Sequence, residues 1–446
     1  MRFALLCLSL TALLATQPCR AADFAADAKA WSDEHADLFE NAAKLGAEGY
    51  PAAGNQILLA LADEDTSPLA AYVIGNTLYN FDPVASYRLH AHALEGFPQE
   101  RAVALQVALE EHRRGEYAGA IINYRFVLRT GNSPQFSALL ADCLLHTGDL
   151  KGAVEAWKQA DHARRHAEID AAICTVYGPL SPVQRRGDLI AQIEAKDLAK
   201  LTDLILLDLS FDSDWWNAKV YADGLDADLK RASLLQGHRD GRYRALAVYA
   251  KLARAPERKR SEIERELKQL SLVIGSGATL PDDSRIARAL CELAVTAQLV
   301  STADLWTAYE ATLRSRLEKQ DRDALHLLCW LAAANRNRVL TEFNQLGWEE
   351  WNDPTFASSF MVDLYREKKL TSPNDSQLMA ALAVSPNNIT LHKLRISLAG
   401  ENVPNDMIAA ALKAEYHKLS VGETVPDSTM LDGLFDALGK QLPATP

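Results

Sequence analysis

The chain has 446 residues, of which 48% are hydrophobic and 24% charged, and a formal net charge of −12. This is ordinary globular composition, long enough for two or three cores or for one elongated solenoid. The acidic balance argues against general binding to nucleic acid or anionic lipid, whose phosphates call for Lys and Arg. The 17 prolines and 22 glycines are few for this length; with abundant Ala and Leu they favour helix over sheet.

The first 24 residues, MRFALLCLSLTALLATQPCRAADF, place a basic Arg2 before an apolar stretch from Phe3 to Ala15. Small Cys19 and Ala21 then stand at −3 and −1 of a cleavage site after Ala21, the pattern of a secretory signal peptide. Neither Cys7 nor Cys19 sits in a lipobox. The expectation is a bacterial protein that is periplasmic or secreted after cleavage near Ala21, with a mature charge of about −14 once Arg2 and Arg20 are removed. No later segment is apolar enough to span a membrane; residues 198–211 come nearest, and Lys200, Asp203 and Asp208 interrupt them. Beyond the leader stand Cys143, Cys174, Cys291 and Cys329, each in an apolar helical context. They read as buried thiols, with a Cys143–Cys174 bridge left open.

A 33-residue period organises the next part of the chain. Gly115 opens GEYAGAIINYRFVL, and Gly148 opens GDLKGAVEAWKQA 33 residues later. The aligned pairs are Tyr117/Leu150, Ala120/Ala153, Ile121/Val154, Tyr124/Trp157 and Val127/Ala160. Asp82 and Gly49 occupy the same position in two looser preceding units. Each unit predicts a helix, a breaker and a second helix. Gly ends the first helix at little steric cost. Small Ala120 and Ala153 admit a neighbouring helix, and Tyr124 and Trp157 fill the space beyond. Pro68, Pro98 and Pro134 fall where one hairpin hands over to the next. One such hairpin cannot bury its apolar face alone, so the units must stack.

These residues, with Gly75 on a first helix, resemble the tetratricopeptide repeat family over about residues 35–167. The usual Leu-Gly pair of the family's first helix is replaced by Val107-Ala108. The resemblance implies an α-solenoid of stacked hairpins whose first helices line a concave groove. Carried over position by position, the partner-binding groove would present Tyr72, Asn76, Tyr79, Leu109, His112 and Asp142. Tyr72, Asn76 and Tyr79 share one helix face and would suit an extended peptide or a helix. The Lys/Asn/Arg set that clamps a C-terminal carboxylate in some members does not occur.

Past residue 170 the 33-residue frame fails. GPLSPVQRRGD and GSGATLPDDS (275–284) read as joints, and the segments between and after them as irregular amphipathic helices. The expected division is a leader (1–21), a repeat domain (22–176), a divergent helical region (177–274) and a C-terminal helical-repeat region (275–446). The fold class is all-α throughout.

Motifs for chemistry are weak. GSGATL lacks the third Gly of a dinucleotide loop, and Pro281 follows it. His162 and His166 are four apart but have no third metal ligand and sit beside Arg164 and Arg165. His90 and His92 point to different helix faces. HRD at 238–240 matches a kinase loop only as a string. Residues 208–230 pack six aspartates around Trp215 and Trp216 without the spacing of a calcium loop. The Glu-Ser pair of lysozyme-like transglycosylases is missing. The expectation is therefore a non-catalytic protein- or peptide-binding scaffold of the envelope, with no catalytic residue, metal or other cofactor and no nucleic-acid partner. The alternative is an envelope enzyme or glycan-binding protein using 208–230.

Overall fold

The computed structural model describes residues 21–47, 51–79, 82–129, 133–160, 162–177, 197–210, 219–236, 242–254, 265, 274, 279–401, 403–418 and 428–442. Among them all regular structure is helical and no strand occurs. The helices are α1 (Ala21–Glu34), α2 (Ala36–Ala47), α3 (Pro51–Glu64), α4 (Pro68–Leu78), α5 (Pro83–Gly96), α6 (Arg101–Arg113), α7 (Tyr117–Leu128), α8 (Pro134–Thr147), α9 (Leu150–Lys158) and α10 (His162–Tyr177). They continue with α11 (Leu198–Ser210), α12 (Lys219–Gln236), α13 (Arg242–Arg254), α14 (Ser284–Thr296), α15 (Thr302–Leu317), α16 (Arg322–Ala334), α17 (Leu340–Gln345) and α18 (Ala357–Arg366). The last four are α19 (Ser376–Val384), α20 (Ile389–Ala399), α21 (Asn405–Tyr416) and α22 (Ser428–Gln441). No described helix is long and apolar enough to cross a membrane.

The 33-residue period is a period of helix caps. At Gly115 (φ 76°) the Glu116 N–H donates to the Glu111 carbonyl at 2.8 Å; at Gly148 (φ 85°) the Asp149 N–H donates to Leu144 at 3.0 Å. Both are the same left-handed stop, which Gly adopts without a Cβ penalty. The starts are equally local. Ser67 and Asp82 accept from the Ala70 and Ala85 N–H groups, and Pro68, Pro83 and Pro134 open their helices where no N–H is needed. Successive helices from α3 to α9 pack on one another as hairpins and between hairpins. Ala120, Tyr124 and Val127 of α7 and Ala153 and Trp157 of α9 are all buried, in the small-then-large order the period requires. Gly75 of α4 lies against the ring of His90 of α5: a Cβ there would stand 2.7 Å from Nε2.

The chain forms two compact units. One comprises residues 1–46, 50–184 and 364–446, the other 47–49 and 185–363. This departs from the sequential division at 177 and 275, because the C-terminal helices belong with the repeats. In the first unit, α21 packs on α8, and α22 on α9 and α10. Ile408, Leu412, Leu431, Phe435 and Leu438 join one core with Leu105, Leu109, Leu139, Leu145 and Trp157. An apolar face left by the repeats is thereby withdrawn from water, at roughly 25 cal/mol per Å².

In the second unit, α11 to α17 stack in a core holding Leu201, Tyr249, Leu290, Leu328 and Phe343. Here too helices end in left-handed residues, but these are Gln298, Gln320 and Arg336, each with φ of 50–58°. Their next residues close the same stop: Leu299 to Ala294 at 3.0 Å, Asp321 to Arg316 at 3.3 Å and Asn337 to Ala332 at 2.8 Å. The cap geometry thus outlasts the glycine signal that marks it upstream.

Candidate functional site

Tyr72, Asn76 and Tyr79 do lie on one face of α4, yet that face is not an open groove. Tyr72 is buried, with its ring edge-on to Phe24 of α1 at 5.0 Å between centroids. Asn76 is half-buried and its Oδ1 meets His90 Nε2 at 3.2 Å. Tyr79 is buried too. Its ring carries the Arg113 guanidinium at 4.0 Å, and Arg113 also donates to the carbonyls of Tyr79 (3.0 Å) and of Thr175 in α10 (2.7 Å). Leu109, His112 and Asp142 are 2%, 1% and 0% exposed. The open groove expected at these six residues is corrected: α1, α10 and α21 cover it, because aromatic and aliphatic side chains on a concave face are stabilised by whichever apolar helix reaches them first.

Two polar clusters lie inside this covered face. In the first, Ser86, His90 and Glu110 are all buried. Glu110 Oε1 lies 2.6 Å from His90 Nδ1 and 2.5 Å from Ser86 Oγ. Ser86 and Glu110 therefore crowd the same ring nitrogen. A nucleophilic triad needs them on opposite nitrogens, with the Ser open to substrate. The cluster is an internal polar brace between α5 and α6, not a nucleophile.

The second cluster surrounds Asp142. Asp142 and His146 stand one turn apart on α8 and so share a face. Tyr124 O–H reaches His112 Nδ1 at 3.3 Å, which leaves His112 Nε2–H to donate to Asp142 Oδ2 at 2.9 Å. The Tyr177 hydroxyl donates to the same oxygen. Asp142 Oδ1 is buried and accepts no hydrogen bond. It faces His146 Nε2 at 3.7 Å. His146 Nε2 in turn meets Nε2 of His417, the residue just after α21, at 3.2 Å. Tyr117 stacks flat on His146 at 4.1 Å, and Tyr177 tilts over His417 at 4.1 Å.

The electrostatics follow from burial and from these neighbours. Burial pushes the Asp142 carboxyl up, but the hydrogen bond and charge of His112, with His146 and His417, outweigh it and hold it below the ordinary value. Burial lowers His146 to about 4, against the pull of Asp142, and lowers His417 as well. Burial likewise pushes Tyr117 up to about 12 and Tyr177 well above its usual range. Near neutral pH His146 and His417 face the Asp142 carboxylate as neutral imidazoles, and the Tyr117 and Tyr177 phenols keep their protons.

Of the residues named from sequence, His112 and Asp142 meet here. His146 and His417 were not foreseen. Asp142 and His146 at i and i+4 are legible as a ligand-type pair, but His417 is 271 positions beyond His146. The side chains of His162 and His166, the HRD string, Trp215 and Trp216 with most of the 208–230 segment, Gly49 and the leader lie outside the described residues. Cys143, Cys174, Cys291 and Cys329 are all free thiols, which closes the question of a Cys143–Cys174 bridge in this fold. Compared with known proteins, the sequence matches no family model and no curated relative.

Proposed function

We propose that this chain is an exported, non-catalytic helical-repeat protein of the tetratricopeptide type that binds protein partners and scaffolds them in the bacterial envelope. One observation carries the reading: the repeats present an apolar face, on the first helix α8 and the second helix α9 alike, that receives helices. Tyr416 of α21 donates to the Ala138 carbonyl of α8 at 2.9 Å, and Phe435 of α22 stacks on Trp157 of α9. A docked helical ligand uses the same apolar anchors and backbone contacts. With that face covered by the chain's own helices, partners are assigned to the outward faces, where Val84 of α5 and Ile122 of α7 are 72% and 69% exposed.

The test is site-specific photo-crosslinking in the native host, with the photoreactive residue at Val84 or at Ile122. The expected result is a discrete adduct with an envelope protein at one or both positions. A correctly folded chain that remains in the cytosol would overturn the export half of the proposal. An exported chain that gives no adduct at either position would overturn the binding half.

A further inference from the structure

We propose that Asp142 Oδ1, His146 Nε2 and His417 Nε2 form a binding site for a divalent transition-metal ion of the zinc class, which clasps the C-terminal helices to the repeat helix α8. The three donor atoms lie within 4.8 Å of one another. Two imidazole nitrogens on one tetrahedral zinc, each about 2.0–2.1 Å from it, stand about 3.3 Å apart. His146 and His417 hold theirs at 3.2 Å. Asp142 Oδ1 stands 3.7 Å from His146 Nε2 and within 4.8 Å of His417 Nε2, so it completes the set by drawing in about half an ångström toward the first and up to about 1.5 Å toward the second.

A second observation is independent of this spacing. Asp142 Oδ1 is a buried carboxylate oxygen with no hydrogen-bond donor, a condition that is destabilising unless a partner is supplied. A hydrogen bond between the two imidazoles satisfies their nitrogens but leaves Oδ1 unpaired. A cation at the centre satisfies all three atoms. The other carboxylate oxygen is already pinned by His112 and Tyr177. That is the arrangement in which outer groups orient a ligating carboxylate.

Two nitrogen donors and one oxygen suit zinc, cobalt, nickel or copper rather than magnesium or calcium. Three protein ligands leave one position for water or another donor. Asp142 is sealed at 0% exposure while the His146 side chain is 17% exposed, so an ion can enter from the imidazole side. Because His417 follows α21, an ion held here ties α21 to α8 across the covered face. The inference stands independently of the protein-binding proposal.

The experiment titrates ZnCl2 into the full chain, with any affinity tag removed and metal stripped, by calorimetry. Cobalt(II) is then used as a spectroscopic probe. The expected result is one equivalent of Zn2+ bound with a dissociation constant on the order of 1 µM or tighter. The melting temperature should rise with free Zn2+, and bound Co2+ should give the visible absorption of a low-symmetry site. His417→Gln and His146→Gln should each weaken binding by at least about 100-fold, more than loss of an orienting group would. His92→Gln, at an exposed imidazole elsewhere, should leave it unchanged. Circular dichroism of the metal-free variants separates lost ligation from lost fold, and His417, at the end of its helix, is the safer of the two. Failure of the folded chain to bind one equivalent overturns the proposal. So does undiminished binding in either folded His→Gln variant.

Discussion

Trp157 stacks on Phe435, with ring centroids 4.6 Å apart and planes 13° from parallel, and its Nε1–H donates to Asp432 at 2.9 Å. The larger residue of the fourth repeat thus does two things. It fills the gap beyond Ala153, as its position in the period requires, and it seats the last helix of the chain. Trp157→Ala should cost about 3–5 kcal/mol, the range for a buried aromatic. A double-mutant cycle with Phe435→Ala should show a coupling of about 0.5–1.5 kcal/mol, measured by denaturant titration. Full additivity would mean that the stack does not hold α22 to α9.

The two kinds of glycine should respond differently to a methyl group. Gly75→Ala drives a Cβ to within 2.7 Å of the buried His90 ring. It should destabilise by about 1–3 kcal/mol through overpacking. Gly148→Ala meets nothing within 4 Å but forces a φ of 85° on an L-residue. Its cost should be about 1–2 kcal/mol, from the backbone alone. Gly75→Ser should then be as harmful as Gly75→Ala or worse, whereas Gly148→Asn should recover part of the loss, because Asn tolerates the left-handed region. Equilibrium unfolding of the four variants checks the ordering.

Gln320 ends α15 with φ 58°, where the repeat region uses Gly. Gln320→Gly should raise stability by about 0.5–1 kcal/mol, the strain relieved less the added freedom of the unfolded chain. A higher thermal midpoint with unchanged helical circular dichroism is the expected readout. A lower midpoint would show that the Gln side chain contributes more than its backbone costs.

His392 of α20 is buried, and its Nε2 contacts the Pro386 carbonyl at 2.8 Å. Burial lowers its pKa below 6.5; the Pro386 carbonyl opposes this and Arg395 adds to it. The sign follows from linkage. The folded state holds the ring neutral while the unfolded state takes up a proton near 6.5, so this group leaves stability flat above that pH and reduces it as pH falls below. Urea midpoints of the native chain and of His392→Gln should converge as pH is lowered from about 7 to about 5. Parallel curves would remove His392 from the acid sensitivity.

The repeat hairpins were legible because the signals that build them are local. Gly115 and Gly148 announce a stop within one turn, Pro68 and Pro134 a start, and Ala120 and Ala153 a close approach. Past residue 170 the same stops are made by Gln298, Gln320 and Arg336. Gln and Arg do not advertise a left-handed conformation, and these stops are no longer 33 residues apart, so the period is lost while the cap geometry persists. The candidate site divides in the same way. Asp142 was named because it counts back correctly from Gly148, and its neighbour His146 shares its helix face. Nothing near residue 417 marks that imidazole as their partner.

By itself, then, the sequence determined an all-α chain of stacked hairpins with small residues at the close contacts and large ones behind them. Tertiary structure decided which faces stay open. Periodicity records that a helix has an apolar side, since that follows from side chains 3.6 residues per turn apart. It does not record which segment covers that side, because any apolar helix of the right length serves and the choice is made by packing among distant parts. That choice turned Tyr72, Tyr79, Leu109 and His112 from a groove into a core. It also brought His417 to within 3.2 Å of His146, beside a carboxylate oxygen with no donor.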